Sequence, residues 1–382
     1  MTTTVPPIPD TMRAAVLPAP GAPLEVRRIP TPRPRSGEVL VKVTACGLCH
    51  SDLHVIHGAI AFPTPAVLGH EVSGVVVELG PETHQSGLTL GQQVCGAFLM
   101  PCGQCPDCAR GRDDLCAPFF SYNRLKGQLF DGTSRLVDND GSVIAQYSMG
   151  GLAEYCVIPV TAVTPAPESL DPVASAILGC AAMTGYGAVR RGADLRYGDT
   201  VAVIGVGGVG SNIIQIAAEF GAGMVIAIDI DDAKLAAAQR LGASHGVNAR
   251  TRDAAQAVLE ITGGRGVDVA FEALGIPATF TQALDLLADG GRMVPVGLAA
   301  GAQAAAVPIN RLVRRGQAIH GSYGARTRTD LPAVVDLAAR EIINYRDVVS
   351  LRVPLEKAAE TYALLEEGRI AGRAVVDMAL AV

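Results

Sequence analysis

Four cysteines, Cys102, Cys105, Cys108 and Cys116, stand in one short stretch with the spacing C-x2-C-x2-C-x7-C. Four thiolates at that spacing can surround one tetrahedral Zn²⁺ at about 2.3 Å each. Gly103 and Pro106 lie between them and suit the tight turns that bring successive sulfurs to one point. Two disulfides or four unrelated thiols are the alternatives, and neither fits a chain without a mark of secretion. The spacing therefore predicts a metal-pinned lobe over about residues 98–118. A closed four-sulfur site leaves no open position for a substrate, so its zinc is structural.

The chain's 382 residues suffice for two domains with a core each. Hydrophobic residues make up 49% and charged residues 18%, a globular composition. Net charge is −6 and no Lys/Arg block stands out, which gives neither nucleic acid nor an anionic membrane a footing. The N-terminus shows no basic and apolar signal-peptide regions, and no run of about 18 apolar residues could span a membrane. The expected compartment is the cytoplasm, with the nine cysteines reduced or metal-bound. Of these, Cys46, Cys95 and Cys156 lie in apolar, strand-like contexts and read as core thiols.

The chain changes character twice. Up to about residue 180 it is rich in Gly, Pro and short β-branched runs such as Val39–Thr44, the marks of an irregular β domain. From about 185 to 320 strands and helices alternate. Strands are expected at Thr200–Ile204, Met224–Ile228, Val267–Phe271 and Arg292–Val296, and helices at Gly208–Phe220 and Asp232–Leu241. That alternation implies a parallel sheet covered on both faces. The last 60 residues carry one helix-like stretch, Leu331–Ile343, then resume the earlier character. The first domain is thus expected to be discontinuous: residues 1–182 and 323–382 around a cofactor domain at 183–322.

Gly205-Val-Gly207-Gly208-Val209-Gly210 fits G-x-G-x-x-G between an expected strand and an expected helix, the context the motif requires. Gly205 permits the turn, Gly207 lets the backbone approach a pyrophosphate, and Gly210 lets helix pack on strand. The phosphates would sit at the helix N-terminus. Asp229, nineteen residues after Gly210, can accept the ribose hydroxyls of NAD and would repel a 2′-phosphate, so NAD is expected over NADP.

Cys49, His50, Ser51, Asp52 and His54 gather in one segment, His70 and Glu71 in a second, and Cys180 in a third. A catalytic zinc keeps three protein ligands and an open position, and Cys2His is one such set. Spacing alone does not unite the three segments. Each residue also has a plainer reading, as a buried thiol, a surface histidine or a helix cap.

Taken together, these motifs resemble the zinc-dependent medium-chain alcohol dehydrogenases, in order and along nearly the whole chain, Met12 to Met378. The resemblance implies an α/β fold: a Rossmann doubly wound parallel-sheet cofactor domain plus a discontinuous, irregular β-rich (GroES-like) catalytic domain. By it Cys49, His70 and Cys180 look like catalytic zinc ligands, with Glu71 near the metal, and Cys102, Cys105, Cys108 and Cys116 like the structural set. Two zinc ions per chain and NAD follow. Ser51 looks like the hydroxyl that bonds the substrate oxygen, His54 like the outer end of a proton relay, and Asp52 like a partner of His70. His50, Thr184, Lys234 and Arg373 match positions on the cofactor, and Ile60, Phe98 and Ile319 match positions lining an apolar substrate pocket. The longer segment over residues 119–150 is similar to the liver-type branch, which implies a homodimer, with a tetramer left open. One departure stands out: glutathione-dependent formaldehyde dehydrogenases carry an arginine four residues after the last lobe cysteine. Here that position is Phe120, with Arg124 nearby.

The implied activity is reversible oxidation of an alcohol to an aldehyde or ketone by hydride transfer to NAD. A polyol or amino-alcohol dehydrogenase on the same scaffold is the nearest rival, and Ile60 and Phe98 oppose its polar pocket. A zinc-free quinone or enoyl reductase would not need Cys49, His70 and Cys180. A non-catalytic NAD-binding protein would not need the relay residues.

Overall fold

A computed structural model describes residues 7–299, 301–370 and 372–381. The first six residues, part of the stretch read for a signal peptide, lie outside the described residues. Among the described residues no helix is long and apolar enough to cross a membrane. The chain divides into two compact units. One comprises Met1–Cys180, Arg326–Ala339 and Tyr345–Val382; the other comprises Ala181–Ala325 and Arg340–Asn344.

The second unit is built on β-branched runs too apolar for an edge. Thr200–Ile204, Met224–Asp229 and Val267–Glu272 are buried along almost their whole length. They pair in parallel in a six-stranded sheet whose order is third, second, first, fourth, fifth, sixth strand, from His245–Asn248 at one edge to Ala318–Ile319 at the other. Helices Gly208–Glu219, Asp232–Arg240, Ala254–Ile261 and Pro277–Asp285 connect the strands. Two begin at capping aspartates: Asp231 accepts the N–H groups of Ala233 and Lys234, and Asp253 that of Gln256. This is the doubly wound Rossmann sheet, with a core of Ile204, Ile226, Ile228, Val258 and Met293 among others. The strand expected at Arg292–Val296 runs over Leu287–Pro295. Gly290 and Gly291 lie inside it.

The first unit is the irregular β domain. Its larger sheet runs Val163–Pro165, Gln93–Gly96, Val72–Leu79, Glu38–Leu48, Arg373–Asp377, Val349–Val353, with Tyr155–Pro159 also paired to Glu38–Leu48. The late strand Arg373–Asp377 is antiparallel to Glu38–Leu48, so the chain's last part returns to the first unit. The helix expected at Leu331–Ile343 spans Thr327–Ala339. It starts earlier because Asp330 accepts the Arg326 N–H at 2.9 Å, which holds the first turn ahead of Pro332. It stops before Glu341, whose φ of 58° is left-handed. Arg340–Asn344 joins the second unit, where the Asn344 N–H donates to Gln215 Oε1 at 2.6 Å.

Candidate functional site

Sheet register explains how three distant segments meet. Cys46 pairs with Val72, so the end of strand Glu38–Leu48, where Cys49 follows, lies beside the start of strand Val72–Leu79, where His70 and Glu71 precede. Val72 in turn pairs with Gly96. The segment Ala174–Gly179 packs on that strand so closely that a Cβ on Gly179 would lie 1.9 Å from the Gly96 carbonyl oxygen. Gly179 also accepts the Phe98 N–H at 3.1 Å, and Cys180 follows it directly. Ligand atoms of Cys49, His70, Glu71 and Cys180 consequently fall within 4.8 Å of one another. All four are buried.

The electrostatics suit a cation at the centre. A hydrogen bond with Cys180, against the opposing effect of burial and with help from His70 and Arg373, holds the Cys49 thiol well below its ordinary range. The same bond and burial push Cys180 well up. Burial disfavours a charged His70, but Asp52 and Cys49 outweigh it and raise its pKa well above the usual value. Protons on Cys180 and His70 are those a metal displaces on binding. His70 Nδ1 lies 3.1 Å from Asp52 Oδ1, which leaves Nε2 for a metal. Glu71 is raised by burial and restrained by Arg373, which donates to its Oε1. Glu71 Oε2 is buried without a hydrogen-bond partner among the described residues. Two sulfurs, one imidazole nitrogen and an orphaned carboxylate oxygen fit a zinc ion.

Cys49 stands at the N-cap position of the short helix His50–Ile56 without a side-chain capping bond. Ser51 and His54 are three apart on it and share a face. Ser51 Oγ lies 3.7 Å from Cys49 Sγ, beside the ligand group. His54 is half-buried and His50 exposed, the first at a boundary where protons can reach water. Phe98 stacks edge-on to His70, with ring centroids 6.2 Å apart. Ile60 is half-buried in the same unit, where its N–H donates to the His54 carbonyl at 3.0 Å. Ile319 lies in the edge strand Ala318–Ile319 of the second unit.

The lobe sulfurs of Cys102, Cys105, Cys108 and Cys116 also lie within 4.8 Å of one another. Backbone N–H groups of Cys102 and Cys105 donate to Cys116 Sγ at 3.2 Å and to Cys102 Sγ at 3.3 Å. Burial pushes the Cys116 thiol up to about 11, a proton that a metal would displace on binding. Gly103 takes a φ of 79° to make the turn. The donor set fits a closed zinc site.

In the second unit Gly205 adopts a φ of 90°, and a Cβ on Gly210 would lie 1.9 Å from the Gly205 carbonyl oxygen. Around Gly207 no atom lies within 4 Å of a built Cβ, so the loop leaves room against its backbone there. Helix Gly208–Glu219 begins at Gly207 with no side-chain cap, and its first N–H groups await an anion. Val209 is half-buried in its first turn. Asp229 ends the second strand and accepts N–H groups from Val206 at 2.8 Å, Ile230 at 2.8 Å and Asp231 at 3.2 Å. Lys234 is exposed in the following helix, and Thr184 is buried in helix Ala181–Gly187. These residues fit a dinucleotide at the glycine loop.

Several residues at the site went unnoticed in the sequence. Tyr147 is fully buried, with its ring 5.8 Å from that of His70 and the Arg124 guanidinium 4.2 Å from its centroid. Tyr362 donates to Asp52 Oδ2 at 2.7 Å. Arg328 binds Asp113 and the Cys108 carbonyl in the lobe. No local spacing marks any of the three, because each partner lies far away in the sequence. Arg373, matched above to a cofactor position, pairs with Glu71 here, and its Nε is buried without a partner among the described residues.

Comparison with known proteins gives a consistent picture. Residues 35–168 match the alcohol dehydrogenase GroES-like domain, and residues 208–340 match the zinc-binding dehydrogenase family. The S-(hydroxymethyl)glutathione dehydrogenase of Synechocystis sp. is 33% identical over 362 residues, covering 94% of this chain and 97% of that protein. Among solved structures, an alcohol dehydrogenase zinc-binding domain protein from Burkholderia ambifaria is 34% identical with a TM-score of 0.90, covering 96% of this chain and 98% of that one. Benzyl alcohol dehydrogenase from Acinetobacter calcoaceticus is 28% identical with a TM-score of 0.90, covering 97% and 99%. A zinc-binding dehydrogenase from Sinorhizobium meliloti, bound to NADP, is 28% identical with a TM-score of 0.80, covering 97% and 100%.

Proposed function

Since this chain belongs to the zinc-dependent medium-chain alcohol dehydrogenases, we propose that it interconverts an apolar alcohol and its aldehyde or ketone, using NAD and two zinc ions per chain. The observation that carries this reading is the convergence of Cys49, His70 and Cys180, with Ser51 beside them. Zinc, when bound, supplies Lewis-acid polarisation of the reacting oxygen. Hydride chemistry is the nicotinamide's.

The chain's own residues do the rest. Ser51 accepts the substrate hydroxyl proton and passes it toward His54, at the boundary with solvent. Histidine is the side chain whose ordinary titration lies nearest neutrality, which suits that exchange. Asp52 orients His70, and Arg373 keeps Glu71 turned toward it. Val206–Gly210 would hold the pyrophosphate and Asp229 the ribose. Phe98 and Tyr147 present ring edges and faces around His70 and favour apolar, aromatic-tolerant substrates. A homodimer is expected from the long segment after Cys116; a tetramer by light scattering would remove that segment as an indicator of assembly.

A panel of aliphatic, benzylic and polyol substrates, read by NADH absorbance in both directions, tests the proposal. Turnover of polyols alone, or of nothing, would sink the apolar-alcohol reading. The panel includes the adduct of formaldehyde and glutathione, because relatives bear the name S-(hydroxymethyl)glutathione dehydrogenase. Against that second reading, Phe120 packs on Phe119 with ring centroids 5.3 Å apart and supplies no cation for a glutathione carboxylate.

A further inference from the structure

The two carboxylates nearest His70 are each gripped by a residue from the chain's last part: Glu71 by Arg373 and Asp52 by Tyr362. Tyr362 lies in helix Ala358–Glu366 and is 3% exposed. Its hydroxyl donates to Asp52 Oδ2 at 2.7 Å. Asp52 is fully buried, and its other oxygen faces His70 Nδ1 at 3.1 Å and the Gly69 N–H at 3.4 Å. Both ends of the carboxylate are thus fixed, one on the imidazole and one on the phenol. Among the described residues Oδ2 has no other donor. A phenylalanine would bury the same ring against the same neighbours, so the hydroxyl adds nothing to packing. It adds a bond to a buried anion, whose loss leaves that oxygen unsatisfied and the carboxylate free to turn.

We infer that Tyr362 is a positioning residue for the metal centre: through Asp52 it fixes the ring orientation and tautomer of His70. The inference rests on the reading that Cys49, His70 and Cys180 hold zinc. Removing a direct hydrogen-bond partner of a metal-ligating histidine typically costs 10–100-fold in metal affinity. Tyr362 stands one bond further out, so a smaller effect is expected, about three- to tenfold by the same scale.

The test is zinc release from purified holoenzyme into a chromogenic chelator, which reads metal and not turnover. Wild type should release two zincs in two phases. Tyr362→Phe should speed one phase about three- to tenfold and leave the lobe phase unchanged. Asp52→Asn should speed the same phase more, and Tyr362→Phe added to Asp52→Asn should then have little further effect. Unchanged phases in Tyr362→Phe would overturn the inference. So would equal acceleration of both phases, or additivity with Asp52→Asn, since either makes the tyrosine a general support. A wild type that carries zinc in the lobe alone would sink the metal-site reading, and this inference with it.

Discussion

At Asp229 three backbone N–H groups converge on one carboxylate, which fixes a negative charge beside the glycine loop. A ribose can share that charge, and a 2′-phosphate must face it at close range. Asp229→Gly should therefore lower kcat/KM with NAD by at least about tenfold, roughly the worth of one lost charge-assisted hydrogen bond. The NADP value should rise by less, because the variant also frees the Val206 N–H and loosens the loop. A wild type that prefers NADP, the cofactor bound by the Sinorhizobium meliloti relative, would refute the assignment. His54 is the second single-residue case. If it ends a relay from Ser51, His54→Gln keeps both zincs and NAD affinity but slows alcohol oxidation near and below neutral pH. The ceiling for such acid–base help is roughly 10²–10⁴-fold, and solvent access reduces it. The deficit should shrink as pH rises, because the alcohol then needs less help to lose its proton. Ser51→Ala should be slower at every pH. The pH–rate profiles of both variants, with metal content measured alongside, decide this; zinc loss from His54→Gln would make the histidine a structural support. Cys49, Ser51 and His54 stand close together in the sequence, on one short helix and its N-cap, and their roles came from the family resemblance. Tyr362 could not be read from the sequence: it sits in Ala358–Glu366 among apolar neighbours, where a tyrosine reads as core, and its partner Asp52 lies 310 positions away.

Elements explain why residues so far apart in sequence become one site. The ends of Glu38–Leu48 and Val72–Leu79 are joined by register, but Cys180 arrives on a segment that belongs to neither strand. Its approach depends on Gly179, which lies against the Gly96 backbone with no room for a methyl group. Gly179→Ala should push Cys180 out of the ligand group. The expected result is one zinc per chain in place of two and a loss of at least about a hundredfold in activity, while the lobe zinc stays. Full metal content in Gly179→Ala would show that the contact yields. The Rossmann strands and helices were legible to within a residue or two at Thr200–Ile204 and Gly208–Glu219, since a buried apolar run and a glycine turn leave few alternatives. Thr327–Ala339 begins four residues earlier than expected because the Thr327 hydroxyl donates to the distant Leu99 carbonyl and Asp330 holds the first turn, ahead of a proline that usually marks a boundary.

For the molecule as a whole, a lobe zinc is expected to act on stability and the proposed second zinc on chemistry. The sulfur cluster pins the lobe internally. Among the contacts that hold it to the rest of the first unit are Thr327, whose hydroxyl donates to the Leu99 carbonyl at 2.8 Å, and Arg328, which donates to both Asp113 oxygens and to the Cys108 carbonyl from a helix more than two hundred residues downstream. Asp113 is buried while Arg328 keeps 35% of its side chain exposed, so cutting the pair leaves a carboxylate that water can partly reach from the arginine's side. Losing the zinc in Cys102→Ser unpins the loop between Cys102 and Cys116, and the cost of ordering that loop returns to the folding balance. A loss of about 3 kcal/mol corresponds to a fall of roughly 6–12 °C in melting temperature for a domain of 150–250 residues. Cys102→Ser should show a fall of that order by calorimetry, with one zinc per chain and kcat at low temperature within about threefold of wild type. Arg328→Ala should fall by less and keep both zincs. If Cys102→Ser melts like wild type, the lobe is a passive appendage. If it loses turnover before it loses stability, the lobe reaches the chemistry and its zinc is not merely structural.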